Sequence, residues 1–275
     1  MGHIVDISKW NGNINWDVAA PQLDLAICRV QYGSNKVDEW YKRYVAKLEE
    51  YGVPHAAYAY GCYISVNDAI VEADDFMDRT SPNAKFLVLD VEDDTLQSCG
   101  ANNLAAASQA FIDRCKSKGW KIGLYLSHHM YENYGLSGLK ADFLWIPRYG
   151  GNKPKYACDI WQYTETGNVP GIGKCDLNYL VGSKPLSWFT SGTEQSVAND
   201  GYQYVKSGGF GISLVQEVAN AMNERGIKGE VVSDPLTGVA YLQTEVLPNT
   251  ELDKITWWMD TRPEGKWFYE YIKVK

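Results

Sequence analysis

Through the first 127 residues, short apolar runs alternate with stretches in which apolar side chains return every three or four positions. Residues 3–8 read as a strand, and residues 25–32 as a second one after a helical patch around 16–20. Trp40, Tyr44, Leu48 and Tyr51 recur at helical spacing, which predicts a helix over 39–51 stopped by Gly52. Residues 54–60 form a third strand, and Ile70, Ala73, Phe76 and Met77 supply the apolar stripe of a helix over 66–79. A fourth strand starts at Phe86, a helix over 102–118 closes at Gly119, and residues 121–127 form a fifth strand. Strands that alternate with helices in this way build a parallel sheet.

After Ser127 the rhythm changes. Residues 143–149, 157–164 and 174–180 read as strands joined by loops too short, and too rich in Gly, Pro and Asn, to hold full helices. The expectation is an α/β fold, a TIM-like barrel of the (β/α)5β3 kind over residues 1–182. Residues 183–199 read as a linker, with Pro185, Ser187, Gly192 and Ser196, in which Trp188 and Phe189 offer a docking contact to either flanking domain. Residues 200–275 follow the order βαββαβ: strand 202–205, helix 212–225, a hairpin of 230–233 and 238–244 across Asp234-Pro235, helix 251–261 and strand 267–274. That describes a second, small α+β domain with no acid pair, nucleophile-base pair or metal cluster, hence a binding module. Gly208 to Gly211 before a helix lacks the Lys-Ser/Thr and the βαβ context of a phosphate loop and is read as structural.

The candidate chemistry lies where the fourth strand ends, in Leu89-Asp90-Val91-Glu92-Asp93-Asp94. A strand sends alternate side chains to one side, so Asp90 and Glu92 face the same way with Cα atoms about 7 Å apart. Each charge then raises the cost of ionising the other, which keeps one carboxyl protonated near neutral pH, as a general acid requires. Carboxyls at the C-terminal end of a buried parallel strand stand where α/β barrels build active sites. Asp93 and Asp94 read as the start of a turn.

Bulk properties narrow the partners. The formal net charge of −8 over 275 residues argues against nucleic acid or an anionic membrane surface as partner. No apolar run reaches the length of a membrane span, and no secretory signal opens the chain. Cys28, Cys62, Cys99, Cys115, Cys158 and Cys175 show no close Cys-x-x-Cys spacing and read as reduced thiols, with no metal site and no cofactor. Ten tryptophans and nineteen tyrosines suit stacking on sugar rings, although most serve packing.

The first 180 residues resemble the glycoside hydrolase family 25 lysozymes, the muramidases of phage endolysins and bacterial autolysins. The resemblance is carried by Val5-Asp6-Ile7-Ser8 with Trp10-Asn11-Gly12 and Asn15-Trp16, the 25–33 strand, Tyr58 to Tyr60, and Leu89-Asp90-Val91-Glu92. Further along it continues through Leu124-Tyr125, Leu144-Trp145-Ile146, Ile160-Trp161-Gln162-Tyr163 and Cys175-Asp176-Leu177-Asn178. It implies that Glu92 is the general acid and that Asp90 orients the substrate 2-acetamido group in a substrate-assisted, retaining mechanism. It also implies that Asp6 and Asp176 close the floor of the pocket, and that Tyr60, Tyr125, Trp145, Gln162 and Arg29 contact sugar. Arg148 departs from the small residue usual at its place. Tyr204 to Asn223 with Trp267 to Lys275 resemble the C-terminal wall-binding domain of Bacillus-phage amidases and lysozymes. The resemblance implies partners in peptidoglycan and a cell-wall polymer, and release from the host cytoplasm through a holin. Two other readings stay open at this point: a chitinase-like hydrolase, and a catalytically silent wall lectin that kept the barrel.

Overall fold

In the computed structural model residues 2–191, 203–260, 262 and 267–273 are described. The chain divides into two compact units, Met1–Gln195 and Ser196–Lys275. Part of the expected linker, 192–199, and the start of the expected second domain, 200–202, lie outside the described residues, as does Thr261.

In the first unit, strands β1 (His3–Ile7), β2 (Leu23–Tyr32) with the short β3 (Lys36–Val37) folded back on it, β4 (His55–Tyr60) and β5 (Leu87–Val91) run through the first half. They are followed by β6 (Ile122–Leu126), β7 (Phe143–Pro147), β8 (Ile160–Val169) and β9 (Gly173–Leu180). Apart from β3, which pairs antiparallel to β2, neighbours from β1 to β8 pair in parallel, β8 and β9 pair antiparallel, and β9 returns antiparallel to β1, so that eight strands close a barrel. The connecting helices are α1 (Trp16–Ala19), α2 (Tyr41–Glu50), α3 (Val66–Arg79), α4 (Asp93–Cys99) and α5 (Leu104–Ser117). After β6 the connection shrinks to two single 3-10 turns, His128–Met130 and Leu136–Gly138.

One expectation changes at α4. Asp93 and Asp94 do not open a turn but start a helix, because Thr95 Oγ1 accepts the Glu92 N–H at 3.1 Å and two acids in a first turn suit the helix dipole.

Strand alternation sorts the barrel's apolar residues into two layers. Val5, Ile7, Ala26, Cys28, Leu87, Leu89, Val91, Leu124 and Leu126 pack outward, together with Leu48, Phe76, Phe111 and Ile112 of the helices. Ile4, Leu25, Ile27, Ala56, Phe86, Val88, Tyr125, Phe143, Trp145 and Ile160 fill the interior. Gly123 is needed there: a Cβ at that position would lie 2.2 Å from the Phe143 ring. The six cysteines are unpaired, and Cys28, Cys99, Cys115 and Cys175 are buried.

The segment from residue 183 is not a linker from its first residue. Leu186–Thr190 forms a helix, α6, whose Phe189 is wholly buried in the barrel interior, edge-on to Phe86 at 5.7 Å and Phe143 at 5.2 Å. Trp188 packs beside it, with Lys121 Nζ 4.0 Å from its ring. These contacts seal the end of the barrel opposite the strand C-termini, and an apolar interior open to water explains why the chain supplies such a plug.

The second unit holds β10 (Gln203–Ser207), β11 (Phe210–Gly211), α7 (Val215–Glu224), β12 (Gly229–Asp234), β13 (Val239–Thr244), α8 (Asn249–Asp260) and β14 (Tyr269–Lys273). The sheet order is β11-β13-β10-β14 with β12 added on β13. Val205, Ala240 and Leu242 on one face pack with Val218, Met222, Leu252, Ile255 and Met259 of the two helices. Gly208 to Gly211 is more than a loop, since Phe210 and Gly211 pair with Ala240 and Val239. Gly209 permits that approach, as a Cβ there would stand 2.8 Å from Val239.

Candidate active site

The interior rows of the barrel turn from apolar to acidic toward the C-terminal ends of the parallel strands. On β5 the row that begins with Phe86 and Val88 continues as Asp90 and Glu92. On β1 the row of Ile4 continues as Asp6, whose antiparallel partner on β9 is Asp176. A cavity of about 300 Å³ opens there, lined by Asp6, Tyr58, Asp90, Glu92, Tyr125, Trp145, Tyr149, Gln162, Glu165 and Asp176. Seven of the nine residues singled out in the sequence therefore share one pocket.

The other two, Tyr60 and Arg29, are not in its lining. Tyr60 stacks on Tyr32 with ring centroids 4.6 Å apart. Burial holds its phenol above the ordinary range, and the charges of Glu92 and Asp90 add to that. Arg29 is ion-paired to Asp38 at 3.0 Å and lines a separate groove.

Gln162 organises the floor. Its Nε2 donates to both carboxylate oxygens of Asp6 at 3.0 Å, and its Oε1 accepts from Tyr125 at 3.0 Å and Tyr149 at 2.7 Å. Asn178 Nδ2 adds a third bond to Asp6 at 2.8 Å, while its Oδ1 accepts from Trp145 Nε1 at 2.8 Å. Trp145 is thus fixed by its indole nitrogen and meets Tyr125 edge-on at 4.8 Å.

Sequence reasoning missed Tyr58, Tyr149, Glu165, Asn178 and Ser127. Three of them carried a signal, because Tyr58, Asn178 and Ser127 lie two residues from Tyr60, Asp176 and Tyr125 and so share their strand faces. Tyr149 and Glu165 had none.

All four acids are held above the ordinary carboxylate range, with burial as the first cause. For Asp90 the charge of Glu92 adds to it, while Arg29 opposes. For Glu92 burial is opposed by hydrogen bonds from Asp90 and from Ser127, whose Oγ lies 3.3 Å from Oε2. Asp176 is pushed up to about 8 by burial and then by the charge of Asp6. Asp6 is also raised by burial, against the bonds it accepts from Asn178, Gln162 and Asp176. Asp90 Oδ1 is buried without a hydrogen-bond donor. Asp90 and Glu92 lie within hydrogen-bonding reach of each other, so the pair can share a single proton. The arrangement can therefore deliver a proton into the pocket while a second carboxyl supports positive charge.

The chain matches the model of the glycosyl hydrolases family 25 over residues 5–172 and that of the PlyG cell wall binding domain over residues 224–271. Among solved structures it is similar to the catalytic domain of endolysin ply40 from bacteriophage P40 of Listeria monocytogenes. The identity is 28% and the TM-score 0.64, over 69% of this chain and 97% of that one. It is also similar to GHIP, a glycosyl hydrolase 25 of Streptococcus pneumoniae, at 27% identity and a TM-score of 0.63, over 70% of this chain and 93% of that one. Among curated proteins, YegX of Escherichia coli, described as uncharacterized, is 25% identical over 208 residues, which cover 70% of this chain and 75% of YegX.

Proposed function

This chain belongs to the glycosyl hydrolases family 25, and from that footing we propose that it cuts the β-1,4 bond between N-acetylmuramic acid and N-acetylglucosamine with retention at the anomeric carbon. It is a peptidoglycan hydrolase of the lysozyme and endolysin type, with a cell wall binding domain in the same chain. The observation that carries the finer reading is the Asp90–Glu92 pair: both carboxyls line one pocket, both are held above the ordinary range, and Asp90 Oδ1 has no hydrogen-bond partner.

When the muramyl ring enters, its acetamido N–H donates to Asp90 and stabilises that carboxyl as an anion. The shared proton then rests on Glu92, beside the glycosidic oxygen. The acetamido carbonyl oxygen attacks the anomeric carbon, the bond to the glucosamine O4 breaks, and Glu92 gives its proton to that oxygen. Asp90 balances the positive oxazolinium that forms. Water then opens the oxazolinium at the anomeric carbon and returns a proton to Glu92. Two inversions give net retention. Asp6, held by Gln162 and Asn178 and backed by protonated Asp176, keeps the acetamido side of the floor rigid, which counts because a small misplacement of reacting groups is costly. Tyr125 and Trp145 offer ring faces and edges to sugar.

The match to the PlyG cell wall binding domain supports a cell-wall polymer as second partner; the host in this reading is a Gram-positive, Bacillus-type bacterium. In this reading the enzyme is made in the host cytoplasm and reaches the wall through a holin.

Mass spectrometry of borohydride-reduced fragments from purified peptidoglycan tests the bond. Reduced muramic acid at the new ends supports the reading, whereas reduced glucosamine ends overturn it. An Asp90→Asn enzyme as active as the wild type would exclude acetamido assistance.

A further inference from the structure

A groove of about 200 Å³, distinct from the acid pocket, is bordered by Lys9, Trp10, Arg29, Tyr32, Lys36 and Asp38. Two of its residues lie close to the reacting centre: Tyr32 stacks on Tyr60, beside the charges of Glu92 and Asp90, and the charge of Arg29 acts on Asp90. Tyr32 and Lys36 also border a second hollow of about 220 Å³, so the trough continues past them.

Its chemistry is opposite to that of the pocket. Trp10 is 79% exposed, which is unusual for the largest apolar side chain. Lys9 Nζ lies 4.9 Å from the Trp10 ring, and Lys36 Nζ lies 5.0 Å from that of Tyr32. Among the described residues neither ammonium is paired with a carboxylate, although the chain carries eight more acidic than basic side chains. Asp38 cannot neutralise them. Its Oδ2 accepts from Arg29 Nε at 3.0 Å and from the Lys9 N–H at 2.9 Å, and its Oδ1 accepts from the Trp40 N–H at 3.0 Å. Buried Asp38 therefore anchors the turn that carries Lys9 and Trp10 and leaves both lysine charges facing the groove.

A neutral glycan chain offers nothing to a pair of free ammoniums. A glycan whose muramyl residues carry peptides does, because those peptides hold free carboxylates and extend about 3.3–3.6 Å per residue from the sugar. We propose that the groove receives the stem peptide of a muramyl residue next to the scissile bond, with its carboxylates at Lys9 and Lys36 and its backbone and small side chains against Trp10 and Tyr32. The proposal rests on the muramidase reading and deepens it: the enzyme prefers peptide-bearing glycan through charge complementarity, which acts on binding and not on the chemical step.

The test compares the full-length wild type with Lys9→Gln, Lys36→Gln and the double variant. Each is assayed on peptidoglycan strands that keep their stem peptides and on the same strands after an amidase has removed them. On peptide-bearing strands at low salt the double variant should raise KM about two- to fivefold with kcat unchanged, in line with exposed ion pairs. The difference should vanish as salt rises, since exposed charges are screened over about 8 Å at physiological ionic strength. On stripped strands KM should not move. An unchanged KM on peptide-bearing strands overturns the proposal. An equal rise on both substrates also overturns it, because the lysines would then hold the glycan or its lactyl carboxylate. Failure of the muramidase reading is seen separately, in the identity of the reducing ends that the wild type makes on either substrate.

Discussion

The side-chain amide of Gln162 donates to both carboxylate oxygens of Asp6, 156 residues away in the chain, at 3.0 Å. Its carbonyl meanwhile takes the hydroxyls of Tyr125 and Tyr149, so one neutral side chain links the acidic floor to two aromatic walls. Gln162→Ala should leave Asp6 short of donors and Tyr125 without its acceptor, at about 1–3 kcal/mol for each buried group left unmade. Thermal melts should show a fall of several degrees together with reduced turnover. A variant that melts like the wild type would mean the amide does not hold the floor.

Glu92→Gln keeps the shape of the side chain and removes its transferable proton. Turnover should fall by about 10²–10⁴-fold, the range for general acid-base catalysis, while wall binding and circular dichroism stay as in the wild type. Retention of more than about a tenth of the activity would remove Glu92 from this role. In the wild type, kcat/KM should fall as pH rises through the raised pKa of the Asp90–Glu92 pair, and fall again at low pH when both carboxyls are protonated.

Asp176 carries a pH signature in stability. Its carboxyl is raised from 3.8 to about 8 in the fold, by burial first. The neutral form is favoured there, so its contribution is complete below about pH 3.8 and is lost as pH rises through about 8. Asp176→Asn should accordingly melt at least as high as the wild type at neutral pH and a few degrees higher above pH 8, since about 1 kcal/mol moves Tm by roughly 2–4 °C in a domain of this size. Activity should fall in the same variant. Melts across pH 5–9 check the sign, and a variant that loses ground to the wild type with rising pH would contradict it.

Phe189 places the end of the barrel domain beyond residue 182. A chain cut after Gly182 loses the plug that touches Phe86 and Phe143, and Phe189→Ala alone should cost about 3–5 kcal/mol. A chain cut after Ser191 should keep the wild-type barrel melting temperature and still cleave soluble glycan. Its action on whole cells should drop, because the wall-binding module no longer raises the local enzyme concentration. Equal stability of the two truncations would show that α6 does not complete the barrel.

Sequence alone determined what depends on local period and short spacing. The helical recurrence of Trp40, Tyr44 and Leu48 gave α2, with Tyr41, Tyr44, Val45 and Leu48 buried. The twofold alternation of a strand set Asp90 and Glu92 on one side of β5 whatever lies around them. What the fold alone decided is non-local. Asp6 and Asp176 meet only because β9 turns back antiparallel to close the barrel on β1, and nothing near either residue encodes that return. The bulge between Arg29 and Gln31 interrupts the alternation of β2, which leaves Arg29 on Asp38 at the rim and Gln31 buried against Arg79. Leu186–Thr190 is too short to show a helical period and is flanked by Pro185 and Ser191, so its composition reads as linker. Phe189 becomes core because closing eight strands creates an apolar end that water must not reach, and that demand exists only once the strands have met.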